Sequence, residues 1–115
     1  MVTTDASNMG WGAVCGNNST EGLWSLDEQR NHINYLELKA VLLGLQSFCR
    51  GINGKHILVQ SDNTTTVSYI NAMGGIKSIP RNDMATTIWE WCIQHNIWLS
   101  ATRIPGLENI QADKE

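Results

Sequence analysis

At 115 residues, 42% hydrophobic and 17% charged, the chain has the size and composition of one globular domain able to bury a real core. A formal net charge of −3 argues against a strong autonomous nucleic-acid binder, so any polyanionic substrate would need metal ions or a larger protein around this domain. No apolar run reaches membrane-spanning length, no secretory signal opens the chain, and three scattered cysteines (Cys15, Cys49, Cys92) fit neither a disulfide framework nor a zinc site, which sets the expectation of a reducing, intracellular location in cytoplasm or nucleus and no membrane partner.

In chain order, residues 2–7 read as a strand with Asp5 near its C-terminal end, and the glycines of Asn8 to Gly12 mark a turn. Trp11 to Cys15 reads as a second strand, residues 16–20 as a hairpin turn, and residues 22–26 as a third strand. The polar stretch 27–33 reads as a loop into a helix over 34–49, where apolar residues recur at spacings of three and four, and Gly51-Ile52-Asn53-Gly54 stops it. His56 to Asp62 is a short apolar run between two helices, the mark of a buried parallel strand. A Thr-rich helix follows over 63–73, then an amphipathic helix over 82–95 with Met84, Ile88, Trp91 and Cys92 on one side, then a fifth strand over 97–104. Trp89, Trp91 and Trp98 are expected in the core or on a partner surface, not as base-stacking platforms. Ile110 to Glu115 reads as the opening turn of a last, truncated helix, which suggests a piece of something longer. The order β-β-β-α-β-α-α-β-α predicts one α/β domain over 1–115: a mixed five-stranded sheet, a three-strand antiparallel meander plus parallel strands, flanked by helices.

One residue breaks the helix pattern of 34–49. Glu37 shares its face with Ala40, Val41, Gly44, Leu45 and Phe48, so its carboxylate points inward, where an uncompensated charge is costly. A purely structural alternative is a capping box with Asn34 as N-cap and Glu37 at the third helical position. Asp62 has a similar alternative as N-cap of the next helix, and Asp113 sits where acids are commonplace, in a first helical turn. Asp5 inside a strand is disfavoured by propensity. In open α/β sheets, ligands gather at the carboxyl ends of the strands, where Asp5 and Asp62 fall, with Glu37 facing the sheet and Asp113 after the last strand. Four converging acids need raised pKa values or bound cations. Carboxylate oxygens suit hard cations such as Mg²⁺, and two such ions ~4 Å apart can activate a water and stabilise the leaving oxygen in phosphodiester cleavage. No Ser/His/Asp triad or phosphate loop is present, and His32, His56 and His95 are too scattered for a His-metal motif.

Four blocks, in order, carry a resemblance: Thr4-Asp5-Ala6-Ser7-x-x-Gly10-Trp11-Gly12-Ala13, Asn34-x-x-Glu37-Leu38-x-Ala40, Gln60-Ser61-Asp62-Asn63, and Pro105-Gly106-x-x-Asn109-x-x-Ala112-Asp113. Together they cover nearly the whole chain, and the sequence resembles the ribonuclease H domains of reverse-transcribing retroelements. The wording around Glu37 and Asp62 looks most like that of DIRS-type or Ty3-like retrotransposons. The resemblance implies a ribonuclease H-like fold and an endoribonuclease that cleaves the RNA strand of an RNA/DNA hybrid, as part of a reverse transcriptase. It implies two Mg²⁺ ions, with Mn²⁺ able to substitute, held by Asp5, Glu37, Asp62 and Asp113 as catalytic acids. Asp5 would bridge both ions, Glu37 and Asp62 would complete one site, and Asp113 the other. It also implies substrate contacts at Ser7, Asn34, Asn63 and Asn109, with Asn34 in the minor groove and RNA distinguished through its 2′-hydroxyl.

The sequence departs from that family at two places. Many cellular members carry a mobile histidine after the glycine matched by Gly106, where this chain has Leu107. Members acting alone often carry a basic substrate handle, where this chain has only Lys77 and Arg81 between residues 74 and 81. The first departure implies slower turnover or reliance on other groups for product release or proton transfer; the second, with the net charge of −3, implies that a neighbouring reverse transcriptase domain of the same polyprotein supplies most of the grip. The alternative is a catalytically silent domain of the same fold with a structural or nucleic-acid-positioning role. An integrase-like strand transferase ranks lower, because those enzymes place the glutamate on the last helix and here it is on the first.

Overall fold

The computed structural model describes residues 1–75 and 83–104. Five strands form one mixed sheet: β1 (Val2–Ala6), β2 (Gly10–Cys15), β3 (Asn18–Leu23), β4 (His56–Ser61) and β5 (Trp98–Arg103), in the spatial order β3-β2-β1-β4-β5. The helices are α1 (Ile33–Phe48), α2 (Thr64–Gly75) and α3 (Asp83–Gln94). β1 pairs antiparallel with β2 and parallel with β4, and β4 pairs parallel with β5. The expected architecture is therefore present, with the β1-α1-β4 crossover placing β4 beside β1.

The meander differs from the sequence expectation in register. The turn after β2 is only Gly16-Asn17, with Cys15 paired to Asn18, so β3 is residues Asn18–Leu23 and not 22–26. Gly16 takes φ +60, the left-handed conformation a two-residue hairpin needs. The misreading has a physical cause: β3 is an exposed edge strand, so polar Asn18, Ser19 and Glu21 cost nothing there, and hydrophobicity marks the wrong residues. Trp24 lies beyond the strand, buried, with its indole Nε1 donating to Ser7 O at 2.9 Å, while Leu26 is exposed. The loop 27–33 contains a short 3-10 turn, Glu28–Arg30, entered through a reciprocal capping pair. Ser25 N donates to Glu28 Oε1 at 2.8 Å, and Glu28 N donates to Ser25 Oγ at 3.1 Å.

One face of the sheet carries the core. Val2, Ile57, Val59 and Leu99 pack there against Leu38, Val41, Leu42 and Leu45 of α1, Ile70 of α2, and Met84, Ile88 and Cys92 of α3. Of the tryptophans, Trp91 packs at the edge of this core and Trp98 is exposed on β5. The open edge of β5 is closed by a side chain: Asn71 of α2 donates through Nδ2 to Ala101 O at 3.0 Å and accepts from Ala101 N at 2.8 Å.

α1 comes unusually close to the sheet at Gly44. A Cβ there would meet Ala13 Cβ at 3.1 Å, Thr4 Cγ2 at 3.4 Å and Val2 Cγ1 at 3.5 Å. A leucine at this position would push the helix off β1 and β2. Gly44→Leu is expected to lower the unfolding free energy by roughly 1–3 kcal/mol through overpacking, measured by urea denaturation. Unchanged stability would show that α1 has slack against the sheet.

Candidate metal centre

The parallel register of β1 and β4 pairs Val2 with Val59 and Thr3 with Gln60. Carried forward two residues, it sets Asp5 beside Asp62 at the carboxyl ends of the two central strands. Glu37 reaches the same rim from α1. One ligand oxygen from each of Asp5, Glu37 and Asp62 lies within 4.8 Å of the others. Asp5 and Asp62 are half-buried, and Glu37 is only 4% exposed.

The two capping alternatives fail. The N-cap of α1 is His32, whose Nδ1 accepts from Asn34 N at 3.1 Å, so Asn34 is already inside the helix and Glu37 lies beyond its third position. No capping box forms at Asn34, because an imidazole two residues earlier takes the orphan donor. Asp62 is not the cap of α2 either: Asn63 is, with Oδ1 accepting from Thr66 N at 2.8 Å.

Glu37 is therefore left without a structural reason for its charge. Burial first, and then the neighbouring charge of Asp62, push its carboxyl pKa up to about 8, while a hydrogen bond from the Ala6 backbone pulls weakly the other way. Its Oε2 is buried with no hydrogen-bond partner among the described residues. An orphaned buried oxygen beside two further carboxylates fits a cation, and an all-oxygen donor set fits a hard one such as Mg²⁺ or Mn²⁺. Lys39, two residues from Glu37 in sequence, pairs instead with Glu28.

A groove of about 480 Å³ opens from Asp5 along the hairpin, lined by Ser7, Trp11, Gly12 and Glu21 among others. Asp5 pairs with Gly12, and Gly12 with Glu21, so the three run in a row across the strands. At Gly12 a Cβ would meet only Thr20 O at 3.9 Å, so the glycine leaves the floor open and relieves no clash. The sequence reading missed Glu21. The two-residue hairpin turn, which fixes the β2–β3 register, was the signal that would have found it. Ser7 sits at the groove's rim as a turn former: its Oγ accepts from Met9 N at 3.2 Å and Gly10 N at 3.3 Å. Asn34 and Asn63 flank the acids and bond to each other, Asn63 Nδ2 donating to Asn34 Oδ1 at 3.1 Å. Asn109 and Asp113 lie outside the described residues, as do Lys77, Arg81 and Leu107.

The raised Glu37 pKa gives signed expectations. A buried acid titrating near 8 against an unfolded value of 4.5 holds its proton longer in the folded state, so its contribution to stability is full below about pH 4.5 and is lost as pH rises to about 8. In EDTA, the wild type should therefore lose roughly a few kcal/mol relative to Glu37→Gln between pH 5 and 8.5, by denaturant unfolding. Mg²⁺ must displace that proton, so its apparent affinity should rise with pH and level off above about 8. Parallel stability profiles for the two proteins would place the Glu37 carboxyl in water.

No protein-family model matches the sequence, and no curated protein sequence does. Solved structures do match in fold. LC11-RNase H1, determined in complex with an RNA/DNA hybrid, aligns with a TM-score of 0.69 at 17% identity over 98% of this chain and 90% of that one. RNase H1 from the archaeon Halobacterium salinarum NRC-1 aligns at 0.63 and 19% identity, over 98% and 90% of the two chains. The N-terminal RNase H domain of rv2228c from Mycobacterium tuberculosis aligns at 0.57 and 18% identity, over 98% and 93%. The mixed five-stranded sheet with its helices is thus the ribonuclease H fold.

Proposed function

We propose that this domain is a divalent-metal-dependent endoribonuclease that cleaves the RNA strand of RNA/DNA hybrids. The observation that carries the proposal is the convergence of Asp5, Glu37 and Asp62 within 4.8 Å at the rim of a ribonuclease H fold, with one buried oxygen left unpartnered. A hybrid in complex with the similarly folded LC11-RNase H1 supports the choice of substrate.

In this reading Asp5, Glu37 and Asp62 hold Mg²⁺ or Mn²⁺, and Asp113 is the fourth acid of a two-ion site. Bound ions supply Lewis-acid activation of water and charge neutralisation at the leaving oxygen. The protein's own part is positional. The paired strands fix Asp5 and Asp62 relative to each other, and α1 brings the third carboxylate in from the core side, so the site needs little reorganisation to receive cations. Burial of Glu37 on the core side also excludes water from one flank of the site. The groove from Asp5 toward Glu21 gives the nucleic acid a path past the acids, with Gly12 leaving room for its backbone.

The sequence blocks around Asp5, Glu37, Asp62 and Asp113 further support a retroelement origin, of the DIRS or Ty3-like kind. The net charge of −3 supports a partner, the reverse transcriptase domain of the same polyprotein, that supplies most of the grip on the hybrid.

The test is cleavage of an end-labelled RNA/DNA hybrid with Mg²⁺ or Mn²⁺. Wild type should cut the RNA strand only, and Asp5→Asn and Asp62→Asn should each reduce the rate at least about 100-fold, since each removes a ligand worth several kcal/mol in the transition state. Metal-independent cutting, or full activity in Asp62→Asn, would refute the proposal.

A further inference from the structure

The two asparagines beside the acids form a directed chain of donors and acceptors, and it begins at a group that has no choice. A backbone N–H only donates, and Thr66 N donates to Asn63 Oδ1 at 2.8 Å. That fixes the Asn63 amide, so its NH₂ must point the other way, where it donates to Asn34 Oδ1 at 3.1 Å. The backbone N–H of Asn63 donates to Ser61 Oγ at 3.1 Å, which ties the main chain at this position. Asn34 is anchored in turn by its backbone N–H on His32 Nδ1. The carbonyl oxygen of the Asn34 side chain is therefore the inward atom. Its Nδ2 is left as the free donor, with no acceptor among the described residues, on a half-buried side chain one helical turn from Glu37.

We propose that Asn63 is a positioning residue for substrate recognition. It holds Asn34 so that Nδ2, and not Oδ1, is offered to an acceptor atom on the minor-groove side of an RNA/DNA hybrid. This rests on the nuclease reading above. A minor groove presents the acceptors N3 and O2 of the bases, and the RNA strand adds the 2′-hydroxyl oxygen, so a donor of fixed orientation matches it. An untethered Asn34 amide would offer its donor and its acceptor edges alternately. Direct contact between Asn63 and the substrate, the simpler expectation from the sequence, would have to use the second N–H of an amide whose first N–H and carbonyl oxygen are already bonded to Asn34 and Thr66. The link also joins the N-terminal ends of α1 and α2, which carry Glu37 and follow Asp62. The experiment must therefore separate an effect on Asn34 from a disturbance of the acids.

Asn63→Ser makes that separation, because serine is a good N-cap and keeps α2 started while removing the donor to Asn34. Steady-state cleavage of the RNA/DNA hybrid is measured for wild type, Asn63→Ser, Asn34→Ala and the double variant, each with its Mg²⁺ dependence and melting temperature. Asn63→Ser is expected to raise KM about tenfold, the loss of one oriented hydrogen bond, with kcat within about twofold and the half-saturating Mg²⁺ unchanged. Asn34→Ala should raise KM similarly, and the double variant no further than Asn34→Ala alone. Additive effects of the two substitutions, an unchanged KM in Asn63→Ser, or an effect confined to kcat and Mg²⁺ requirement would each overturn the positioning role while leaving the nuclease reading intact. A wild type that binds Mn²⁺ but neither cuts nor binds the hybrid would remove the nuclease reading, and this proposal with it.

Discussion

The site depends on a carboxylate that the fold holds in a place where a charge does not belong. Glu37 lies on the apolar face of α1, almost without solvent, opposite Asp62. A buried, unpaired charge costs stability, and burial raises the Glu37 pKa, with no cationic side chain pairing with it among the described residues. Three features keep the arrangement in place. Gly44 lets α1 lie against β1 and β2, His32 caps the helix two residues before Asn34 so that Glu37 lies beyond the third helical position, and the parallel pairing of β1 with β4 puts Asp5 and Asp62 side by side. The result is a poorly compensated negative pocket at the carboxyl end of the central strands, the place where open α/β sheets bind ligands.

The surroundings divide the work. The acids sit where two paired strands and a packed helix meet, whereas the adjoining groove is built from the hairpin and its glycines. Even there the entry turn is tied down: Ser7 Oγ accepts two backbone N–H groups, and Trp24 anchors the carbonyl of Ser7 from the far end of β3.

Much of this was legible in the sequence because the informative residues break local patterns. An acid on an apolar helix face has few structural explanations, and an acid inside a strand has fewer. The neighbouring of β1 and β4 followed from a meander and one crossover, whereas the place of β5 beside β4 was not read from the sequence. What was not legible came from exposed or polar parts, where hydrophobicity carries no signal. β3 reads as a loop because an edge strand tolerates Asn, Ser and Glu, so the register that brings Glu21 into line with Asp5 was hidden. The cap assignments were hidden for another reason: Ser, Asn, Asp and His all accept a backbone N–H, and their sequence positions differ by one or two residues. A reciprocal capping pair, weighed as the alternative at Asn34 and Glu37, occurs instead at Ser25 and Glu28, and Asn34 bonds to Asn63.

A cation site formed by Asp5, Glu37 and Asp62 would be detected by titrating isotope-labelled protein with Mn²⁺ at pH 8 and following paramagnetic broadening of backbone amide resonances. The amides of Ala6, Glu37 and Asn63 are expected to broaden first and together, and excess Mg²⁺ to restore them. Broadening centred elsewhere, or spread evenly over surface acids with these three unaffected, would contradict it.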